Sequence, residues 1–94
     1  MENLEKEKQI RVEYLITQQD FDVYVKNKDT IKTLKSKIVA KIGGGITLIN
    51  LMIKPSVGRN ARPLPNNDEL TIHQAQIHNH STITIGRDNV VGGK

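Results

Sequence analysis

The spacing of apolar residues changes period in mid-chain and then changes back, which confines this sequence to folds where strands and one helix share a core. Ile10, Val12, Tyr14 and Ile16 alternate with Arg11, Glu13 and Leu15, the period of a half-buried strand in which Leu15 is the one impurity. A polar turn, Thr17 to Asp20, follows, and alternation resumes with Phe21, Val23 and Val25 on one face and Asp22, Tyr24 and Lys26 on the other. Two such runs joined by a short turn predict an antiparallel hairpin. The steps then lengthen to three and four: Ile31, Leu34, Ile38 and Ile42 form one helical stripe, widened by Val39. Asp29 or Thr30 is placed to cap the first turn, Lys41 suits the negative pole of the helix dipole, and Gly43-Gly44-Gly45 ends the helix.

Period two returns afterwards. Ile46 to Lys54 is apolar and β-branched and reads as a third strand, stopped by Pro55. Pro55 to Asp68 holds all three prolines with Gly58, Asn60, Asn66 and Asn67, and reads as a long exposed loop with one short strand near Leu64. Leu70, Ile72 and Ile77 look like anchors of a compact turn, and Ser81 to Ile85 is a closing strand. The predicted class is α+β, a mixed sheet of four to five strands covered by one helix.

Size and composition narrow the chemistry. At 94 residues there is room for one compact core. Aromatics make up only 3%, so the core must be aliphatic and stacking platforms for bases or sugars are scarce. With no cysteine, the chain itself forms no disulfide, thiolate zinc site or thioester. No paired acid and base stand at motif spacing and no cofactor fingerprint is present, so the chain is not expected to be an enzyme. The net charge of +4 is scattered, which reads as a solvated surface. The opening Met1 to Lys8 alternates charges and lacks the apolar segment of a signal peptide, and no stretch approaches the roughly 20 apolar residues of a membrane span. A soluble, monomeric, cytoplasmic protein is expected, with access to the nucleus in a eukaryote.

Two stretches of sequence sharpen the fold. Asp29-Thr30-Ile31-Lys32-Thr33-Leu34-Lys35-Ser36-Lys37-Ile38 closely resembles the start of ubiquitin's helix. Leu64, Leu70-Thr71-Ile72, Ile77 and Ser81-Thr82-Ile83-Thr84-Ile85 follow the order and spacing of ubiquitin's last third. The resemblance covers roughly Ile10 to Gly93 and implies a ubiquitin-like β-grasp over 9–86 with a flexible tail at 87–94 that carries Gly92-Gly93, while the charged composition of 1–8 reads as a disordered tip. In the family such a tail offers its carboxylate to an activating enzyme, and residues without side chains pass a narrow channel. By this likeness, a protease removes Lys94, an activating enzyme adenylates Gly93 with ATP, and a conjugating enzyme's cysteine carries it to lysines of target proteins. The modifier needs no cofactor of its own.

The resemblance also places a partner surface at Met52, Thr84, Gly86 and Arg87, where only Met52 is large and apolar, so receptors that bury an aliphatic patch lose contact here. Asn89-Val90-Val91 stands where ubiquitin alternates Arg and Leu, a difference an activating enzyme can read. Lys35, Lys37 and Lys41 match family lysines and are the candidate acceptors for chain building, although helix lysines more often only solvate, and chains are not expected. Two alternatives stand beside the modifier: a β-grasp sulfur carrier that forms a thiocarboxylate at Gly93, and a non-covalent interaction domain with an inert tail.

Other constellations are weak. His73, His78 and His80 lack a carboxylate or thiolate at ligand spacing, so no metal site is expected. Gly43-Gly44-Gly45 closes a helix, whereas a phosphate loop opens one. Arg59, Arg62 and Arg87 have too few aromatics around them for an RNA surface. Asn79-His80-Ser81 fits a glycosylation pattern but lacks a secretory signal before it.

Overall fold

A computed structural model describes residues 3–55 and 58–92. Strands β1 (Glu7–Tyr14) and β2 (Gln19–Lys26) form the expected antiparallel hairpin, with Ile10 opposite Val23 and Val12 opposite Phe21 on the inner face. Helix α1 (Ile31–Ile42) follows. Then come β3 (Ile46–Leu48), β4 (Met52–Lys54), β5 (Arg62–Pro63), β6 (Thr82–Ile85), a 3-10 turn at Arg87–Asn89 and β7 (Val90–Gly92). Five strands make one sheet in the order β2-β1-β6-β4-β5, and β3 pairs with β7 in a two-stranded ribbon. The β1–β6 pair is parallel and the rest are antiparallel, so the sheet is mixed as predicted.

The helix forms where the stripe and its cap agree. Thr30 is the cap, its hydroxyl accepting from the Thr33 amide at 3.3 Å, while the Asp29 carboxylate is drawn away to accept from the Lys26 amide at 2.8 Å. Ile31, Leu34 and Ile38 are fully buried against the sheet, with Val39 and Ile42 at the margin. Gly43 stops the helix in a left-handed conformation, φ +85°, its amide donating to Val39 O. The core between helix and sheet is aliphatic, closed from the sheet side by Ile10, Val12, Ile53, Ile83 and Ile85 and from below by Ile72 and Ile77. Ser81 is wholly buried but satisfied, donating its hydroxyl hydrogen to His78 O at 2.6 Å.

Three expectations are corrected. Residues 3–8 are not a loose tip: Lys28 donates its amide to Leu4 O, the buried Asn27 donates its amide to Lys6 O and its Nδ2 to Asn3 O at 2.9 Å, and β1 begins at Glu7. Local polarity hid this, because the partners lie about twenty residues away in sequence. Ile16 does not continue the buried alternation, since β1 ends at Tyr14 and the turn leaves Leu15 and Ile16 exposed. Ile46 to Lys54 is not one strand: it breaks at Ile49-Asn50-Leu51, where Asn50 takes a left-handed φ of +52°.

In the described part of the Pro-rich loop, 58–68, Leu64 is the buried anchor, donating its amide to Leu51 O at 2.8 Å. The short strand falls at Arg62–Pro63, just before Leu64. Among the described residues no helix is long and apolar enough to cross a membrane.

Candidate functional site

The carboxyl end and the outer sheet face meet along one ladder. Segments 46–54 and 82–92 run antiparallel throughout, but Met52 faces Thr84 whereas Leu48 faces Val90. Three residues on one side therefore answer five on the other, and the two extra residues are taken up by the 3-10 turn Arg87–Asn89. This corrects the expected flexible tail at 87–92: that stretch is a turn and a strand paired with Ile46–Leu48. The cause is β-branched Val90 and Val91, which pair when the partner segment Ile46-Thr47-Leu48 lies alongside. Gly93 and Lys94 lie outside the described residues.

Asn89 holds this end in place. Its Oδ1 accepts from the Gly86 amide at 3.0 Å, and its Nδ2 donates to Ile49 O at 3.1 Å and to Asn50 O at 3.0 Å. Its backbone carbonyl accepts from the Ile49 amide at 2.9 Å. One side chain thus satisfies polar backbone groups on both sides of the double break. Val90 packs at the core margin, while Val91 is 51% exposed and Gly92 is exposed. Gly92 has φ +80°, so its backbone asks for glycine whatever the residue's chemical role.

On the outer face Met52 and Thr84 are direct cross-strand neighbours, with Met52 41% exposed. Gly86 is half-buried and Arg87 exposed, next along the chain. Leu15, not among the residues expected on this face, borders it. Its amide donates to Ile85 O at 2.9 Å and its side chain is 56% exposed, which places an apolar residue beside Gly86. Its break of the alternation was the available signal. Apart from the exposed Tyr24 ring, the neighbouring part of the face is polar: Arg11 pairs with Asp20 at 2.8 Å, and the Gln9 Nε2 donates to Asp22 at 2.9 Å.

The candidate acceptor lysines divide. The Lys35 ammonium pairs with Asp68 at 2.9 Å and is partly buried, and Lys37 donates to Tyr24 O at 2.6 Å, whereas the Lys41 side chain is exposed. Arg62 is likewise engaged, donating to the Ala75 and Gln76 carbonyls at 3.0 and 2.8 Å. His73 and His78 flank one open depression with Lys8, whose ammonium donates to Ile77 O at 2.7 Å and is held below the usual lysine range by burial. His80 sits in a left-handed turn, φ +66°. Among the described residues no three His, Asp or Glu side chains gather closely enough to hold a metal ion.

No protein-family model matches the chain, and no curated protein matches it. Solved structures do. The tubulin-binding cofactor B structure from Trypanosoma brucei aligns with a TM-score of 0.63 at 10% identity, covering 95% of this chain and 98% of that one. The ubiquitin-like domain of the Arabidopsis thaliana protein At2g32350 aligns with a TM-score of 0.61 at 20% identity, over 95% of this chain and 85% of that one. A second structure of the Arabidopsis protein gives 0.55 at 21%, over 86% and 92%. At such identities the likeness is one of fold. The mixed sheet, the single helix and these neighbours together show that the chain has the ubiquitin-like β-grasp fold.

Proposed function

We propose that this chain is a ubiquitin-like protein modifier. Its Gly93 carboxylate, exposed once a processing protease removes Lys94, attacks the α-phosphate of ATP on an activating enzyme and expels pyrophosphate. A partner cysteine thiolate then displaces AMP to give a thioester, and a target lysine amine displaces the thiolate to give an isopeptide bond. The observation that carries this reading is the sequence pair Gly92-Gly93 at the close of a ubiquitin-like fold, with Gly92 the last residue of β7. A chain without cysteine fits a role in which all nucleophiles except the final carboxylate belong to partners. Met52, Thr84, Gly86 and Arg87, joined by Leu15, are the docking surface offered to those partners.

The test is mass spectrometry of the protein tagged at its amino end in its own cells. Trypsin cuts after Arg87, so conjugates would carry residues 88–93 as a branch on target lysines. Finding that branch supports the modifier. A gain of sulfur at Gly93 supports the carrier instead, and intact Lys94 with no branched peptide sinks both.

One observation favours a non-covalent interaction domain as the second reading: Val90–Gly92 are already committed to β3. On that reading Gly93→Ala leaves partner capture unchanged, whereas on the modifier reading it abolishes conjugates.

A further inference from the structure

Burial alone holds β7 weakly, because only Val90 of its three residues reaches the core. Yet one residue just before it makes three side-chain hydrogen bonds, all to backbone groups of the break opposite or of the turn's own start. The turn that feeds β7 consists of exposed Arg87 and Asp88 followed by half-buried Asn89, and it begins at Gly86, a residue whose small size leaves the pivot unobstructed. A strand with little apolar anchoring, a small residue at its pivot and one side chain supplementing a short backbone ladder has the parts of a two-position element.

We propose that Arg87–Gly92 is a latch, exchanging between a closed form paired on Ile46–Leu48 and an open, extended form, with the Asn89 side chain as its catch. In the closed form the chain leading to Gly93 is engaged by β3, and a partner that must grip it as an extended strand or enclose it in a channel meets it only after opening. A partner's apparent affinity for the tail is then reduced by the fraction of molecules that are open. That consequence rests on the modifier reading, but the latch itself does not.

Amide exchange measured by NMR on the full chain tests it. The Ile49 amide, donating to Asn89 O at 2.9 Å, reports latch opening, and the Arg11 amide, donating to Ser81 O at 2.9 Å, reports the central sheet. Asn89→Ala leaves the Ile49 bond chemically possible but removes the catch. Exchange at Ile49 is expected to rise by about tenfold or more, since one net hydrogen bond is worth roughly fivefold and Asn89→Ala removes three, with Arg11 unchanged. Asn89→Asp keeps the acceptor for Gly86 but replaces both donors with an oxygen facing two carbonyls, so it is expected to open the latch at least as far. Asp88→Ala serves as the neighbouring control, with exchange as in the wild type. Unchanged Ile49 exchange in Asn89→Ala overturns the proposal. So does an equal acceleration at Ile49 and Arg11, which would make Asn89 a support of the whole fold. Exchange needs no enzyme, so a missing conjugate would leave this result standing, and a failed latch would leave the conjugate test standing.

Discussion

Segments 46–54 and 82–92 meet twice, and the two meetings differ in what lies behind them. At β4–β6 the inward residues Ile53, Ile83 and Ile85 are fully buried under the helix. At β3–β7 the pairing continues and β3 is anchored by buried Leu48, but on β7 Val91 and Gly92 face solvent and only Val90 touches the core margin. Backbone hydrogen bonds exchange water for protein at small net gain, whereas each fully buried aliphatic side chain contributes about 1.5–3 kcal/mol. The same ladder is therefore firm in one half and conditional in the other.

The largest expected effect comes from breaking the firm half. Ile83→Ala should lower the global unfolding free energy by about 2–5 kcal/mol, read as a fall in the urea midpoint with an unchanged slope. A cost below about 1 kcal/mol would erase the contrast between the two halves. Next, Gly92→Ala forces a side chain into φ +80°, a strain of about 1–2 kcal/mol. It should appear as faster Ile49 exchange with an unmoved urea midpoint, because only the closed position of β7 demands that angle. Val90→Ala removes two half-buried methyl groups and should open β7 by roughly 0.5–1 kcal/mol on the same readout.

The smallest effect concerns the other fastened end. The Lys28 and Lys26 ammonium groups hold the Glu5 carboxyl below its usual value, and Glu5 in turn raises Lys26. The folded carboxyl binds protons less readily than the unfolded one. Its contribution is therefore complete above the ordinary value of 4.5 and fades as pH falls through the lowered folded value. Lys26 mirrors it: its contribution is complete below 10.5 and is lost as pH rises through its raised value. All three side chains are well exposed, so Glu5→Gln should lower the Tm only slightly at neutral pH, and the difference should vanish in acid. A larger loss at pH 7 would place residues 3–6 with the firm half.

The helix was legible in the sequence because all its information is local: stripe, Thr30 cap and Gly43 stop lie within fourteen residues. The hairpin was legible for the same reason. The break at Asn50 was not, since the side chain that bonds its carbonyl, Asn89, lies 39 residues away. For the same reason β7 read as a tail: Val90-Val91 beside glycines is too short to announce a strand until Ile46–Leu48 is seen opposite. On the outer face Met52 and Thr84 are cross-strand neighbours, and the exposed Leu15 beside them was marked in the sequence only by its break of the alternation.

The two margins of the main sheet are unequal. On one side β5 is only two residues long and half of it is Pro63, which has no amide to donate, so that margin offers almost nothing for another chain to bind. On the other side lies the eight-residue β2, where the Lys37 ammonium already occupies the Tyr24 carbonyl. Were two copies to join through these sheets, they would do so once, β2 to β2, and close on themselves. A sheet that cannot be extended from both sides cannot nucleate a fibre through those sides, however crowded the solution becomes.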